Sequence, residues 1–210
     1  MSYLREMAEQ GYDPSSIGPF HRTMIPYVLA LAGVKRDELV ADVGAAQGHC
    51  IISAAQAGYS NLAVVDVEAQ NFELFSTSYQ IRCYLRDVEG DPLPFADNEV
   101  GAIVCFHLIE HLGKPDNFVR EAFRSLKPNG VLALVTPDWR KQYKTFWRDP
   151  THVHPYDKES ISRFLRIQRF KEVRTHSWGS AYGLGRLEAY RWAPRLGMIG
   201  RDMLALAFKR

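Results

Sequence analysis

Between residues 38 and 137 the chain alternates short runs of apolar, often β-branched residues with segments of helical spacing, and few folds accommodate that rhythm. ELVADVG, NLAVVDV, IRCYLRD, GAIVCFH and VLALVTP read as strands, and CIISAAQAG, EAQNFELFSTSY and KPDNFVREAFRSLK read as helices. Continuous apolar strands separated by helices make a parallel sheet covered on both faces, because each parallel crossover needs a returning segment. The expected class is therefore α/β. FHRTMIPYVLALAGV predicts a further helix over roughly residues 20–32, with Gly33 as its stop and Pro26 near its first turn or kinking it. GDPLPFADNE and KPNG read as turns. Beyond VLALVTP the pattern changes: DWRKQYKTFWRDPTHVHPY is aromatic and loop-like, KESISRFLRI is helical, and FKEVRTHSW and MLALAFKR are strand candidates flanking a Gly- and Arg-rich stretch.

A length of 210 residues suits one domain, residues 1–210, with 138–157 as an acceptor-covering insertion. Scattered charges at the start and no long apolar run argue against a signal peptide or a membrane span, so a cytoplasmic location is expected. Cys50, Cys83 and Cys105 are odd in number, far apart and set among apolar neighbours, which suits buried thiols and not a disulfide frame. The net charge of +2 conceals an asymmetry: residues 1–160 carry 15 Lys/Arg against 21 Asp/Glu, and residues 161–210 carry 11 against 3. A basic tail of this kind suits an anionic partner, a membrane surface, or simply a solvated face, the last at least as well as the others.

VADVGAAQGHC places Asp42, Gly44 and Gly48 where a strand passes into a helix, a junction that lets backbone approach a ligand and offers unpaired N–H groups. Ala46 stands where a fuller glycine pattern has a third glycine. Asp66, with Val67 after it, ends the next strand eighteen residues beyond Gly48, where a nucleoside-binding α/β fold puts a carboxylate on ribose hydroxyls. Asp87, with Val88 after it, ends the third strand and His107 ends the fourth. Ligands of open parallel sheets bind beyond the carboxyl ends of the strands, so these positions converge on one crevice. Alone, Asp66 or Asp87 reads as a cap or turn residue.

The segments ADVGAAQG, VVDVE, RDVEGDPLPFADNEVGAIVCFHLIEHL and LKPNGVLALVTPD resemble class I S-adenosylmethionine-dependent methyltransferases over about half the chain. The resemblance implies a Rossmann-like, doubly wound, seven-stranded and mostly parallel sheet whose last strand is antiparallel, which MLALAFKR would supply. It implies S-adenosylmethionine as cofactor, with Asp42, Gly44, Ala46 and Gly48 cradling the methionine portion and Asp66 and Val67 at the ribose. Asp87 and Val88 would flank the adenine, and His107 would line the pocket. FWRDPTHVHPY more loosely resembles a segment of methyltransferases that act on sugars, polysaccharides or lipid-linked precursors.

In-line methyl transfer to a hydroxyl benefits from a general base, most often histidine. His154 and His152 are the first candidates, with His111 beside them. Trp139, Tyr143, Phe146, Trp147 and Tyr156 would form a stacking wall for the acceptor or the loop's own small core. His107-Leu-Ile-Glu110-His111 matches an HxxEH pattern whose spacing on a helix would put both rings on one face, and resembles the ExxEH sequence by which some methyltransferases bind a divalent metal, with His107 in place of the first glutamate; the expectation is nevertheless no metal, with His107, Glu110 and His111, and His152 or His154 nearby, as candidates. The whole reading is O-methylation of a sugar, glycan precursor or other small hydroxylated acceptor. Competing readings are a nicotinamide-dependent oxidoreductase, for which the fuller GxGxxG is missing, and a non-catalytic nucleoside-binding module. That module would hold RNA or an anionic membrane through the basic tail, although no RNA-binding motif is present. The stretch AYGLGRLEAYRWAPRLGMIG reads as a connection between the last two strands, with an interfacial role for Trp192, Leu196, Met198 and Ile199 as the alternative.

Overall fold

This computed structural model describes residues 19–178 and 200–210, with side chains from residue 25 onward. Helix α1 (Pro19–Leu31) leads into strand β1 (Val40–Val43). Then follow α2 (His49–Gln56), β2 (Leu62–Asp66), α3 (Phe72–Tyr79), β3 (Arg82–Leu85), β4 (Val100–Phe106), α4 (Pro115–Ser125) and β5 (Leu126–Pro137). A short α5 (Trp139–Gln142) and a 3-10 turn (Phe146–Arg148) occupy the aromatic segment, and α6 (Lys158–Ile167), β6 (Glu172–Trp178) and β7 (Asp202–Phe208) complete the order. The strands form one seven-stranded sheet in the order β3-β2-β1-β4-β5-β7-β6. All neighbouring pairs up to β5 are parallel, whereas β7 runs antiparallel to both β5 and β6. The expected sheet, closed by an antiparallel MLALAFKR, is the one observed.

Alternation along the strands divides the core into two layers. Ala41, Val43, Ala63, Val65, Ile103, Cys105, Leu132 and Leu134 face one way, towards Phe118, Val119 and Ala122 of α4 and Ile161 and Leu165 of α6. Val40, Leu62, Val64, Ala102, Val104, Ala133 and Val135 face the other, towards Ile25, Val28 and Leu29 of α1, Ile51 and Ile52 of α2, and Phe75 of α3. Helices α4 and α6 therefore need only one apolar stripe, and their outer faces carry ion pairs such as Arg163 with Glu159 and Arg124 with Glu121. Asp157 starts α6 with a capping box: its carboxylate accepts the N–H groups of Glu159 and Ser160.

Several expectations change in detail. Pro26 lies well inside α1, not in its first turn. Helix α3 begins at Phe72, four residues later than the sequence pattern suggested, because Glu68–Asn71 fold against the crevice. KPNG is part of β5, where the register with β4 shifts and Asn129, at φ 66°, donates its N–H to the Lys209 carbonyl. Cys50 and Cys105 are buried free thiols, but Cys83 is only half-buried. Among the described residues no helix is long and apolar enough to cross a membrane. Within the basic tail, Arg174 and Arg210 both pair with Glu172, and Lys209 donates to the carbonyls of Arg124 and Leu126. The interfacial reading of the stretch around Trp192, Leu196, Met198 and Ile199 lies outside the described residues.

Candidate functional site

The sheet order reverses between β1 and β4, so the chain leaves these neighbours in opposite directions and opens a crevice beyond their carboxyl ends. The loop from Gly44 to Gly48 borders it. Gly44, Ala46 and Gly48 all have left-handed backbone, with φ of 71°, 47° and 75°. Ala46 therefore occupies a conformation that glycine takes at lower cost, which is why the glycine pattern looks incomplete there. The two glycines are required by packing within the protein. A Cβ on Gly48 would lie 2.3 Å from the Phe75 ring, and one on Gly44 would lie 2.9 Å from the Leu108 side chain.

The loop hangs on polar groups from the β2 end. Ala46 N–H donates to Asp66 Oδ2 at 2.9 Å, Glu68 N–H donates to Asp66 Oδ1 at 3.0 Å, and Asn71 Nδ2 donates to the Ala46 carbonyl at 2.9 Å. Asn71 was not singled out by the sequence, since one asparagine in a turn carries no distinguishing pattern. Val67 stands next to Asp66 with 59% of its surface exposed, an apolar side chain at the crevice mouth.

Asp42 lies buried behind this loop, and its Oδ2 has no hydrogen-bond partner among the described residues. Burial first, and the nearby charge of Asp66 second, raise its pKa to about 7, against a smaller opposing effect of the Ile51 N–H. The sign of the linkage follows. The folded protein keeps this proton to higher pH than the unfolded chain, so the group's contribution to stability is full below about pH 4 and is lost as pH rises to about 7. Asp42→Asn removes the titration. Thermal melting from about pH 5 to about pH 8 is expected to show wild type losing on the order of a few kcal/mol relative to the variant.

Asp87 is exposed and serves a turn: its Oδ1 accepts the Glu89 N–H, and its carbonyl accepts the N–H groups of Gly90 and Asp91. Val88 is buried in the core beside Leu93 and Phe95. Strand β3 stops at Leu85, so both residues stand slightly past its end.

The segment after β4 departs most from its expected form. His107 to Gly113 make turns, not a helix, so His107 and His111 do not share a helical face. His107, at φ 52°, sets its half-exposed ring with Nδ1 3.3 Å from Oε1 of the wholly buried Glu110 and Nε2 3.9 Å from Asp202 Oδ2. Desolvation opposes its charge, yet the Glu110 hydrogen bond and the charges of Glu110 and Asp202 outweigh it and raise the pKa. The segment 138–157 is pinned to the same residue, because the N–H groups of Val153 and His154 both donate to the Glu110 carbonyl.

That contact brings His152 against His111, with ring centroids 4.7 Å apart. His152 Nδ1 lies 2.8 Å from the Phe146 carbonyl, and His111 Nδ1 lies 2.8 Å from Thr151 Oγ1, which itself donates to Asp149 Oδ1. His154 stands apart from that pair, half-buried, with Nε2 3.5 Å from the Gly113 carbonyl and its ring centroid 6.1 Å from that of Tyr156. The aromatic residues divide between their two expected roles. Phe146 is buried and meets Trp139 and Trp147 edge-on, and Tyr156 is buried as well, so these form a loop core; Tyr143 and Trp147 keep over half their surface exposed.

The donor implied by these features carries an ammonium, a sulfonium and ribose hydroxyls. An unpartnered buried carboxylate oxygen on Asp42, the Asp66 carboxylate, and an α2 N-terminus with no side-chain cap suit its cations, hydroxyls and carboxylate respectively.

The family model described as a methyltransferase domain matches residues 41–134. A relative named as a probable S-adenosylmethionine-dependent methyltransferase from Mycolicibacterium smegmatis is 46% identical over 101 residues, covering 46% of this chain and 38% of that protein. The 2-methyl-6-phytyl-1,4-hydroquinone methyltransferase of Spinacia oleracea is 26% identical over 171 residues, covering 78% of this chain and 46% of that protein. The chain thus spans under half the length of these two relatives. A solved S-adenosylmethionine-dependent methyltransferase from Archaeoglobus fulgidus shares the fold with a TM-score of 0.72 at 16% identity, covering 99% of this chain and 100% of that one. Sheet order and family match agree: residues 41–134 match the methyltransferase domain, and the described strands form the Rossmann-like sheet of S-adenosylmethionine-dependent methyltransferases.

Proposed function

We propose that the protein transfers the methyl group of S-adenosylmethionine to a hydroxyl oxygen of a small acceptor, a sugar or glycan precursor being the preferred class. The observation that carries the acceptor side is the segment 138–157 folded onto Glu110, which brings histidines and exposed aromatic rings together next to the end of β4. When bound, the donor supplies a sulfonium-activated methyl group. Asp42, Gly44, Ala46 and Gly48 hold its methionine end, Asp66 and Val67 its ribose, and Asp87 and Val88 border its adenine, with His107 lining the wall. The acceptor oxygen bonds to the methyl carbon as the carbon–sulfur bond breaks, leaving S-adenosylhomocysteine.

The hydroxyl proton must go to a base, and His154, half-buried with Nε2 held only by a long 3.5 Å contact to the Gly113 carbonyl, is the residue assigned to it. His152 and His111 have each committed Nδ1 to a neighbour and serve to shape the acceptor wall. Tyr143 and Trp147 offer flat apolar faces of the kind that stack on sugar rings. Three relatives are named as a 2-methyl-6-phytyl-1,4-hydroquinone methyltransferase, a ubiquinone biosynthesis O-methyltransferase and a sterol 24-C-methyltransferase, so a hydroxylated aromatic acceptor belongs in the same test.

The test is calorimetric titration with S-adenosylmethionine, S-adenosylhomocysteine and NAD, followed by transfer of labelled methyl to panels of sugars, phenols and amines. Binding of both adenosyl ligands without NAD, and label appearing on a hydroxyl acceptor, is the expected result. His154→Ala is expected to lower kcat by about 100-fold, with donor affinity unchanged. Label on amines alone would overturn the acceptor assignment.

A further inference from the structure

We propose that Glu110, His111 and His152 form a binding site for one divalent cation of the Zn2+ class on the acceptor side of the crevice. One ligand atom from each residue lies within 4.8 Å of the other two. The hydrogen bonds around them assign the ring protons. The Phe146 carbonyl can only accept, so His152 Nδ1 carries its hydrogen and Nε2 its lone pair. Thr151 Oγ1 gives its own hydrogen to Asp149, so it accepts from His111 Nδ1 and leaves the lone pair on that ring's Nε2 as well. A ring nitrogen held as a donor by a carbonyl or hydroxyl, with the other nitrogen kept basic, is how metal-binding histidines are oriented.

The carboxylate supports the same conclusion independently. Glu110 is wholly buried; its Oε1 meets His107, and its Oε2 has no hydrogen-bond partner among the described residues. An unmatched buried carboxylate oxygen is costly, and a cation beside it removes that cost. Asp149 Oδ2 lies 3.8 Å from His152 Nε2, adding a second negative charge nearby. Two imidazoles and a carboxylate favour Zn2+, Fe2+ or Co2+ over Mg2+, and three protein ligands leave a position for an exogenous oxygen.

The site differs from the grouping that the HxxEH spacing suggested. His107 serves as a hydrogen-bond partner of Glu110 and His152 takes its place, forty-one residues after His111 in the chain. In the function proposed above, the open position would receive the acceptor hydroxyl and ease its deprotonation. The binding claim stands without that step.

The test is direct binding of metal to the purified, chelator-treated chain, using Zn2+ against a chromophoric chelator and Co2+ by its visible absorption, with Mg2+ as the contrasting ion. One equivalent of Zn2+ or Co2+ is expected. Glu110→Gln and His152→Ala are each expected to weaken it by at least about tenfold, while His176→Asn, on β6, leaves it unchanged. Circular dichroism and S-adenosylhomocysteine titration of each variant report the fold and the donor site separately, and His111→Asn replaces any variant that does not fold. Wild-type binding of less than one equivalent at millimolar metal, or binding that all variants retain, overturns the site whatever the fate of the methyl-transfer reading.

Discussion

Replacing Gly48 with alanine is expected to destabilise the protein by roughly 2–5 kcal/mol and to lower its melting temperature by about 5–15 °C. Two costs combine. The backbone there is left-handed, at φ 75°, which costs a non-glycine residue about 1–2 kcal/mol. The new Cβ would also lie 2.3 and 2.5 Å from two carbons of the Phe75 ring, which is itself buried in the α1–α3 layer. The added methyl therefore displaces either α3 or the glycine loop, and donor affinity should fall with it. Thermal melting and S-adenosylhomocysteine titration measure the two effects. Combining Gly48→Ala with Phe75→Leu should recover the part of the loss due to overlap and leave the backbone part. Wild-type stability in the single variant would mean that the loop's conformation is not set by this contact.

The second large effect is expected at Asp66. Its carboxylate accepts the N–H groups of Ala46 and Glu68, so Asp66→Ala leaves two donors unpaired and releases the glycine loop, in addition to removing the proposed ribose contact. Affinity for S-adenosylhomocysteine is expected to fall by at least about 100-fold, about 2.7 kcal/mol. Asp66→Asn keeps one accepting oxygen and should lose less. The same change removes the neighbouring charge that helps raise the pKa of Asp42, so the fall of stability with pH should move to lower pH in Asp66→Ala. An alanine variant that binds as wild type does would exclude Asp66 from the donor site.

The hydrophobic pattern carried most of the sheet because the central strands β1, β2 and β4 are buried on both faces, and a run such as LAVVD or AIVC can satisfy that condition only inside a covered sheet. Asp66 and the glycine loop were legible for a related reason: the end of one strand and the start of the next helix are fixed by local backbone chemistry. Three features were less legible. The four residues before α3 keep helical character in sequence but are drawn against the crevice by Asp66 and Asn71. KPNG has turn composition yet continues β5, because its backbone groups pair with the last strand, about eighty residues away. The spacing of His107, Glu110 and His111 is helical, but the chain turns there to seat Glu110 under the acceptor segment.

The seven-stranded sheet with its antiparallel last strand came from the family resemblance; period and composition by themselves determined the α/β class, the succession of strands and helices along the chain, and a crevice beyond the carboxyl ends of the strands. These follow from burial patterns that repeat within a few residues. Only the tertiary structure decided that Gly48 answers to Phe75, that Asp42 is left with an unpartnered oxygen, and that His152 rather than His107 joins Glu110 and His111. Each of these depends on which distant segments pack together, and the cost of an orphaned carboxylate or an overlapping methyl exists only once that packing has excluded water and space.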